Sequence, residues 1–303
     1  MRVGLVVQGQ EGVDWESWVE LAAAVEAAGL ESLFSSDHYR WLIGNRDGAL
    51  DTWTVLAGLA AVTTTVKLGS LVSPVTFRHP SLLARIVLTV GRISGGRAEL
   101  GLGAGWNEPE HRRYGFPFPP LGVRLEQLAE QAEIVTRAWA GEPFDFAGAH
   151  YRLEECDALP AEPRPNLIVG GTAKRGTIGP AVAFADEYNT HFVGVAGCRE
   201  RREAVDAACE AAGRPPLVFS LMMNCLTADT EVELERRRRY WAETVGRPAD
   251  PERTIIGTTD SVVEQLGEYA DAGVERVFLQ DLSRNSEMIG DYGVVARSLP
   301  EPA

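Results

Sequence analysis

Eight times the chain sets a short apolar run against a longer amphipathic one, and that alternation limits it to α/β architectures built on a parallel sheet. Val3 to Val7 is apolar without a break, as a strand buried on both faces must be. Asp14 is placed to cap the next segment, where Trp15, Trp18, Leu21 and Val25 recur at helical spacing, and Gly29 stops it. Leu33-Phe34 opens a second strand that ends in Ser35-Ser36-Asp37-His38. Asp51 caps a helix reaching Val62, Val66 to Leu71 reads as strand three, Ser81 to Ile93 as helix, and Ala98 to Leu102 as strand four. Leu121 to Trp139 is a long helix, Leu167 to Val169 is strand five, and a glycine loop leads into a helix over Thr177 to Ala185. Asp186 to Asn189, Leu217 to Met222 and Val277 to Leu279 supply strands six to eight, with helices over Arg199 to Ala212 and Ser261 to Ala272 between them. The pattern predicts a (β/α)8 TIM barrel, with a six-strand doubly wound sheet as the weaker alternative.

Two stretches interrupt the alternation. Residues 142–165 are rich in Pro, Gly and acidic residues and predict a hairpin-like insertion before strand five. Residues 228–253 predict a charged helical insertion between strands seven and eight, its basic run Arg236 to Arg239 reading as a solvated helix face. The 303 residues are expected to form a single domain, 1–303, since barrels of this kind reach that size as one unit.

Composition removes several function classes. A formal net charge of -14 argues against nucleic acid or an anionic membrane as partner, because both select basic surfaces. The apolar stretches at Leu56 to Val62 and Ile86 to Val90 fall far short of the ~18 residues of a spanning helix, and no basic-then-apolar leader opens the chain, so a cytoplasmic protein is expected. Cys156, Cys198, Cys209 and Cys225 show no metal-ligand spacing, and no metal is expected. His111, His150 and Cys156 read as surface or structural, and no Ser-His-Asp order or H-E-x-x-H supports a hydrolase or metalloprotease.

Function in a barrel gathers where strands end at the C-terminal face. Asp37-His38 lies at such an end, and an imidazole beside a carboxylate is equipped to give or take a proton. Gly101-Leu102-Gly103-Ala104-Gly105-Trp106-Asn107-Glu108 follows strand four; it lacks the third glycine of a dinucleotide fingerprint, leaving a loop able to approach a flat ligand, with Trp106 and Asn107 as stacking and hydrogen-bonding candidates. Gly170-Gly171-Thr172-Ala173-Lys174-Arg175-Gly176-Thr177 follows strand five and opens a helix, so free N–H groups, hydroxyls and two cations predict a phosphate site. Arg78 and His79, beyond strand three, either act in the site or pin the loop to the next helix.

Ser36-Asp37-His38, Phe77-Arg78-His79-Pro80, Ser94-Gly95-Gly96-Arg97, Gly101 to Trp106, Tyr114-Gly115 and Leu167 to Gly171, in this order, resemble the bacterial-luciferase-like superfamily of flavin- and deazaflavin-dependent oxidoreductases. The resemblance is strongest to the branch that uses coenzyme F420. It implies hydride transfer between F420 and a small organic substrate, with His38 and Asp37 catalytic: His38 would move the proton and Asp37 would steer it or bond the ring. It implies cofactor contacts from Ser70, Leu71, Gly105, Trp106, Asn107, Gly170, Gly171, Thr172 and Lys174, and a non-proline cis peptide at Ser70-Leu71. Arg40, Arg112 and Arg113 would receive an acidic cofactor tail, and the protein would be a homodimer. Two alternatives stay open: an FMN-dependent monooxygenase that uses O₂ and reduced flavin made by a partner reductase, and a non-catalytic flavin-binding relative.

Overall fold

The structure, a computed structural model, describes residues 1–43, 49–159, 162–282 and 287–300. The first half runs β1 (Arg2–Val7), α1 (Trp15–Ala28), β2 (Ser32–Ser35), α2 (Thr52–Val62), β3 (Lys67–Pro74), α3 (Pro80–Ser94), β4 (Ala98–Gly103), α4 (Glu108–Tyr114) and α5 (Leu121–Ala138). Then follow β5 (Phe144–Ala147), β6 (Arg152–Cys156), β7 (Asn166–Gly170), α6 (Arg175–Phe184), β8 (Glu187–His191) and α7 (Val195–Ala211). The chain ends with β9 (Val218–Ala228), α8 (Glu231–Val245), β10 (Thr254–Thr258), α9 (Thr259–Asp271), β11 (Arg276–Gln280) and α10 (Glu287–Ser298).

Eight parallel strands close into the predicted barrel in the order β1-β2-β3-β4-β7-β8-β9-β11, with β11 returning to β1. Local signals set the first units as the sequence implies: the carboxylates of Asp14 and Asp51 accept from Ser17 N and Thr54 N at 2.9 Å, and Gly29 is the C-cap of α1. The insertion before strand five is an antiparallel hairpin of β5 and β6. The 228–253 excursion holds α8, and strand seven runs on past Met222 to Ala228 because its extension pairs with β10, a strand outside the barrel. Neither β10 nor the helices α4 and α10 were expected. The basic run divides: Arg236, Arg238 and Arg239 are exposed, while Arg237 is buried and pairs with Asp291.

Alternate strand residues point inward, and they stack in three layers. At the base, Arg276 reaches Glu99 at 2.6 Å on the opposite strand, Glu187 at 3.1 Å and Glu31 at 2.6 Å, while Lys67 bridges Glu99 and Glu31. Above it lies an apolar plug of Val6, Phe34, Leu71, Ile168 and Phe278, with Arg276 over the Phe278 ring at 4.5 Å. The third layer, Gln8, Ser36, Gly103, Gly170, His191, Asn224 and Gln280, lines a cavity at the C-terminal mouth, with Leu71 of the plug at its floor. The larger core fills the space between barrel and helices.

Burial and pairing make Arg276 the most consequential charge. Arg276→Met strands the Glu99 and Glu187 carboxylates, so urea unfolding is expected to show a loss of about 3–5 kcal/mol; a loss below about 1 kcal/mol would mean Lys67 and Asn166 suffice to carry them. A second test uses pH. Burial disfavours the Glu26 charge, but the N–H groups of Thr65, Thr64 and Val66 outweigh it and hold the carboxyl at about 2, below its ordinary 4.5. Its contribution is present above pH 4.5 and lost as pH falls toward 2. Glu26→Gln is therefore expected to flatten the acid limb of the stability curve, read by thermal melts across that range.

Candidate active site

The cavity has a volume of about 710 Å³, in the range of small-molecule sites. His38 lines it, partly buried, three residues beyond β2. Its Nδ1 lies 2.8 Å from Glu110 Oε2, on α4. Glu110 also accepts from the N–H groups of Tyr39 and Arg40, at 2.5 and 2.9 Å. Burial opposes the Glu110 charge, but the bond and proximity to His38 and these N–H donors prevail and keep it ionised below the usual carboxylate range. The His38 Nε2 has no protein partner among the described residues, so the free nitrogen is available to the cavity. Trp106 stands edge-on to His38 at 5.6 Å; it is 65% exposed, a mouth residue and not core.

Asp37 takes a different place from the one its neighbour suggests. Successive residues of an extended segment point to opposite faces, so Asp37 faces the barrel wall. Its Oδ2 accepts from Ser73 Oγ at 2.6 Å and Arg78 at 2.5 Å, and it does not line the cavity. Arg78 ties Asp37 to Asp51 and to the Tyr39 hydroxyl, so it pins the loops. The carboxylate that meets His38 is Glu110. Sequence reasoning missed it because it sits 72 positions away on a short helix, where Glu108-Pro109-Glu110 reads as a solvated first turn.

The expected cofactor residues divide. Leu71, Gly105, Trp106, Asn107 and Gly170 line the cavity; Ser70, Gly171, Thr172 and Lys174 do not. Ser70 is buried beneath it, its Oγ 2.9 Å from Ser73 Oγ. The non-proline cis peptide is Leu71–Val72, one residue later than expected, where β3 breaks register against β4 between Ser70 and Ser73. In the strand-five loop the Gly171 N–H bonds Asn189 O at 2.9 Å and the Ala173 N–H bonds the Tyr188 hydroxyl at 2.7 Å. Two of its N–H groups are thus already taken, while Thr172 and Lys174 are exposed. Arg40, Arg112 and Arg113 do not line the cavity; Arg247 and Arg253 do. His191, at the end of β8, also lines it, and burial, then Arg201 and Arg253, lower its pKa. Among the described residues no group of His, Cys, Asp and Glu has metal-binding geometry, and no helix is long and apolar enough to cross a membrane.

The residues fit a flat ring. Gly103 and Gly170 make room for the Val72 side chain, which surfaces that part of the wall: a Cβ at Gly103 would overlap Val72 Cγ2, and one at Gly170 would come within 2.9 Å of Val72 Cγ1. Asn107 is 3% exposed, lines the cavity, and its buried Nδ2 has no partner among the described residues, a donor waiting for an acceptor.

A parallel barrel with its acid–base pair and cavity at the strand C-termini has the layout of a barrel enzyme. The chain belongs to the Luciferase-like monooxygenase family, whose model matches residues 1–253. It is similar to the pyrimidine monooxygenase RutA of Stutzerimonas stutzeri (strain A1501), 30% identical over 270 residues, 84% of this chain and 70% of that one. RutA of Variovorax paradoxus (strain S110) is 31% identical over 304 residues, 94% and 78% of the two chains. In fold it is similar to an F420-dependent secondary alcohol dehydrogenase in complex with an F420-acetone adduct, with a TM-score of 0.84, 16% identity and 99% of both chains covered. The oxygenating constituent of 3,6-diketocamphane monooxygenase from Pseudomonas putida, in complex with FMN, superposes with a TM-score of 0.77 at 18% identity, over 100% of this chain and 99% of that one.

This wall yields a test. Gly103→Ala and Gly170→Ala each displace Val72, which lines the cavity, so any binding of a flavin-type cofactor there is expected to weaken about tenfold or more. The melting temperature is expected to move by only a few degrees. Unchanged titration curves for F420 and for FMN would show that no ring lies on that wall.

Proposed function

We propose that the cavity receives the ring of a reduced flavin-type cofactor, coenzyme F420 in the first reading, and that the enzyme reduces a polarised bond of a small organic substrate. The observation that carries this is the His38–Glu110 pair with its free nitrogen toward the cavity. Bound there, reduced F420 supplies a hydride. A carbonyl that accepts the hydride would need a proton, and His38 Nε2 would deliver it. Glu110 orients the imidazole through Nδ1 and balances its positive charge. Asn107 Nδ2 would donate to a ring heteroatom, Leu71, Gly103 and Gly170 would set the ring's plane, and Thr172, Lys174 and the first turn of α6 would meet a phosphate.

A second reading has its own support: the relatives at 30–31% identity are named pyrimidine monooxygenases. In it the cofactor is FMN, reduced by a separate reductase, and O₂ is the co-substrate. The same cavity and the same His38–Glu110 pair serve both.

Anaerobic titration with reduced F420 and reduced FMN, followed by oxygen uptake and turnover of carbonyl, alkene and pyrimidine panels, separates the readings. F420 is expected to bind and be oxidised without O₂. Tight FMN binding with no affinity for F420 overturns the first reading, and binding of both without turnover makes the protein a flavin carrier. With the active cofactor, His38→Ala is expected to lower turnover about 10²- to 10⁴-fold while leaving the cofactor Kd within about threefold. Loss of binding alone would make His38 a cofactor ligand.

A further inference from the structure

The cavity is electrically lopsided. On the side of His38 it is lined by Glu11 and Glu110, and both carboxylates are engaged: Glu11 accepts from the N–H groups of Leu42 and Ile43, Glu110 from Tyr39, Arg40 and His38. The far side is lined by Arg247 and Arg253, on the turn between α8 and β10. Neither has a carboxylate partner among the described residues, and the Arg253 guanidinium lies over the Phe192 ring at 4.8 Å. Asp250, the acid of that rim, accepts the Glu252 N–H at 3.0 Å.

A chain of side-chain amides crosses the inner wall toward the same place. Ser36 Oγ donates to Gln10 Oε1 at 2.6 Å, and Gln10 Nε2 donates to Gln8 Oε1 at 2.6 Å. Gln8 Nε2 donates to Gln280 Oε1 at 2.8 Å, and Gln280 Nε2 donates to Asn224 Oδ1 at 3.1 Å. Every link runs in one direction, so the chain ends on a donor, Asn224 Nδ2. Asn224 is 7% exposed and lines the cavity, and its Nδ2 has no partner among the described residues. A spare amide donor on a largely buried side chain, in a cavity also lined by two guanidinium groups with no carboxylate partner among the described residues, selects an oxyanion and rejects an ammonium.

We propose that Asn224, Arg253 and Arg247 form a subsite for a carboxylate on the substrate, at the end remote from the atom His38 serves. Glu11 and Glu110 disfavour the reverse orientation, so the polarity across the cavity sets which end of the substrate meets the cofactor. The proposal rests on the oxidoreductase reading only for the identity of the reacting end; the subsite itself needs no cofactor.

Calorimetric titration of the full chain, without cofactor, with benzoate, benzamide and benzylammonium tests it directly. Benzoate is expected to bind most tightly and benzylammonium not measurably. Asn224→Leu is expected to weaken benzoate about fivefold, the worth of one hydrogen bond, and Arg253→Met about threefold, as for an exposed ion pair. Arg239→Met, exposed on α8 and away from the cavity, is expected to change nothing. Arg253 is exposed, so its variant keeps the test open should Asn224→Leu not fold. Tighter binding of benzylammonium, or benzoate affinities unmoved in both variants, overturns the proposal. So does an Arg253→Met variant that loses affinity for F420 or FMN while keeping benzoate, which would assign the cations to a cofactor tail. Failure of both cofactors to bind while the benzoate pattern holds would overturn the proposed function and leave this subsite standing.

Discussion

Arg276 is the charge on which the barrel closes. It belongs to β11 yet reaches Glu99 of β4, on the opposite side of the ring, and Glu187 of β8. Burying it alone would be prohibitive; it persists because three carboxylates, Glu31, Glu99 and Glu187, meet three cations, Arg276, Lys67 and Arg2. The partners respond differently. Burial opposes the Glu99 charge, but Arg276 and Lys67 hold its carboxyl down, whereas burial dominates at Glu187 and pushes it up. Such a network contributes geometry more than net stability: it fixes which residue of each strand starts the inward count.

Everything above inherits that register. Two residues on from Arg276 is Phe278, in the apolar plug, and two further is Gln280, on the cavity wall. The same step of two links Glu187, Asn189 and His191 on β8, and Ser220, Met222 and Asn224 on β9. On β4 the step ends on Gly103 and on β7 on Gly170, so the mouth is smooth there, surfaced by Val72, and polar at Gln8, Gln280 and Asn224. A one-residue slip on any of these strands would turn its cavity residue outward. The base of the barrel thus sets the site without touching it.

This period explains what could and could not be seen in the sequence. The apolar runs, the Asp14 and Asp51 caps, and the glycine stops are local signals, and the strands and helices they announce are present. The glycines after strands four and five were visible for the same reason. His38 follows a strand and lines the cavity, but the carboxylate it meets is Glu110 and not the adjacent Asp37, since adjacency in sequence suggests contact and an extended backbone forbids it. Gln8, Asn224 and Gln280 carried a signal that went unused: a polar residue two steps beyond an inward apolar one. Glu110 carried none, because the loop that brings α4 over β2 is a tertiary matter. The short β10 exists only as a pairing for the overlong end of β9.

The division of the mouth has a consequence for how such an enzyme changes its substrate. The smooth half and His38 come from β2, β3, β4 and β7, which the core holds on both faces. Much of the far rim comes from Trp241, Val245, Arg247, Pro248 and Arg253, contributed by α8 and the turn before β10. That excursion leans on β9 beyond the barrel ring, so its residues can vary without disturbing strand register or the base charges. His38 and the Val72 wall are therefore tied to the fold, while the groups of the far rim are tied to an appendage. Selection for a new substrate acts most cheaply on the appendage.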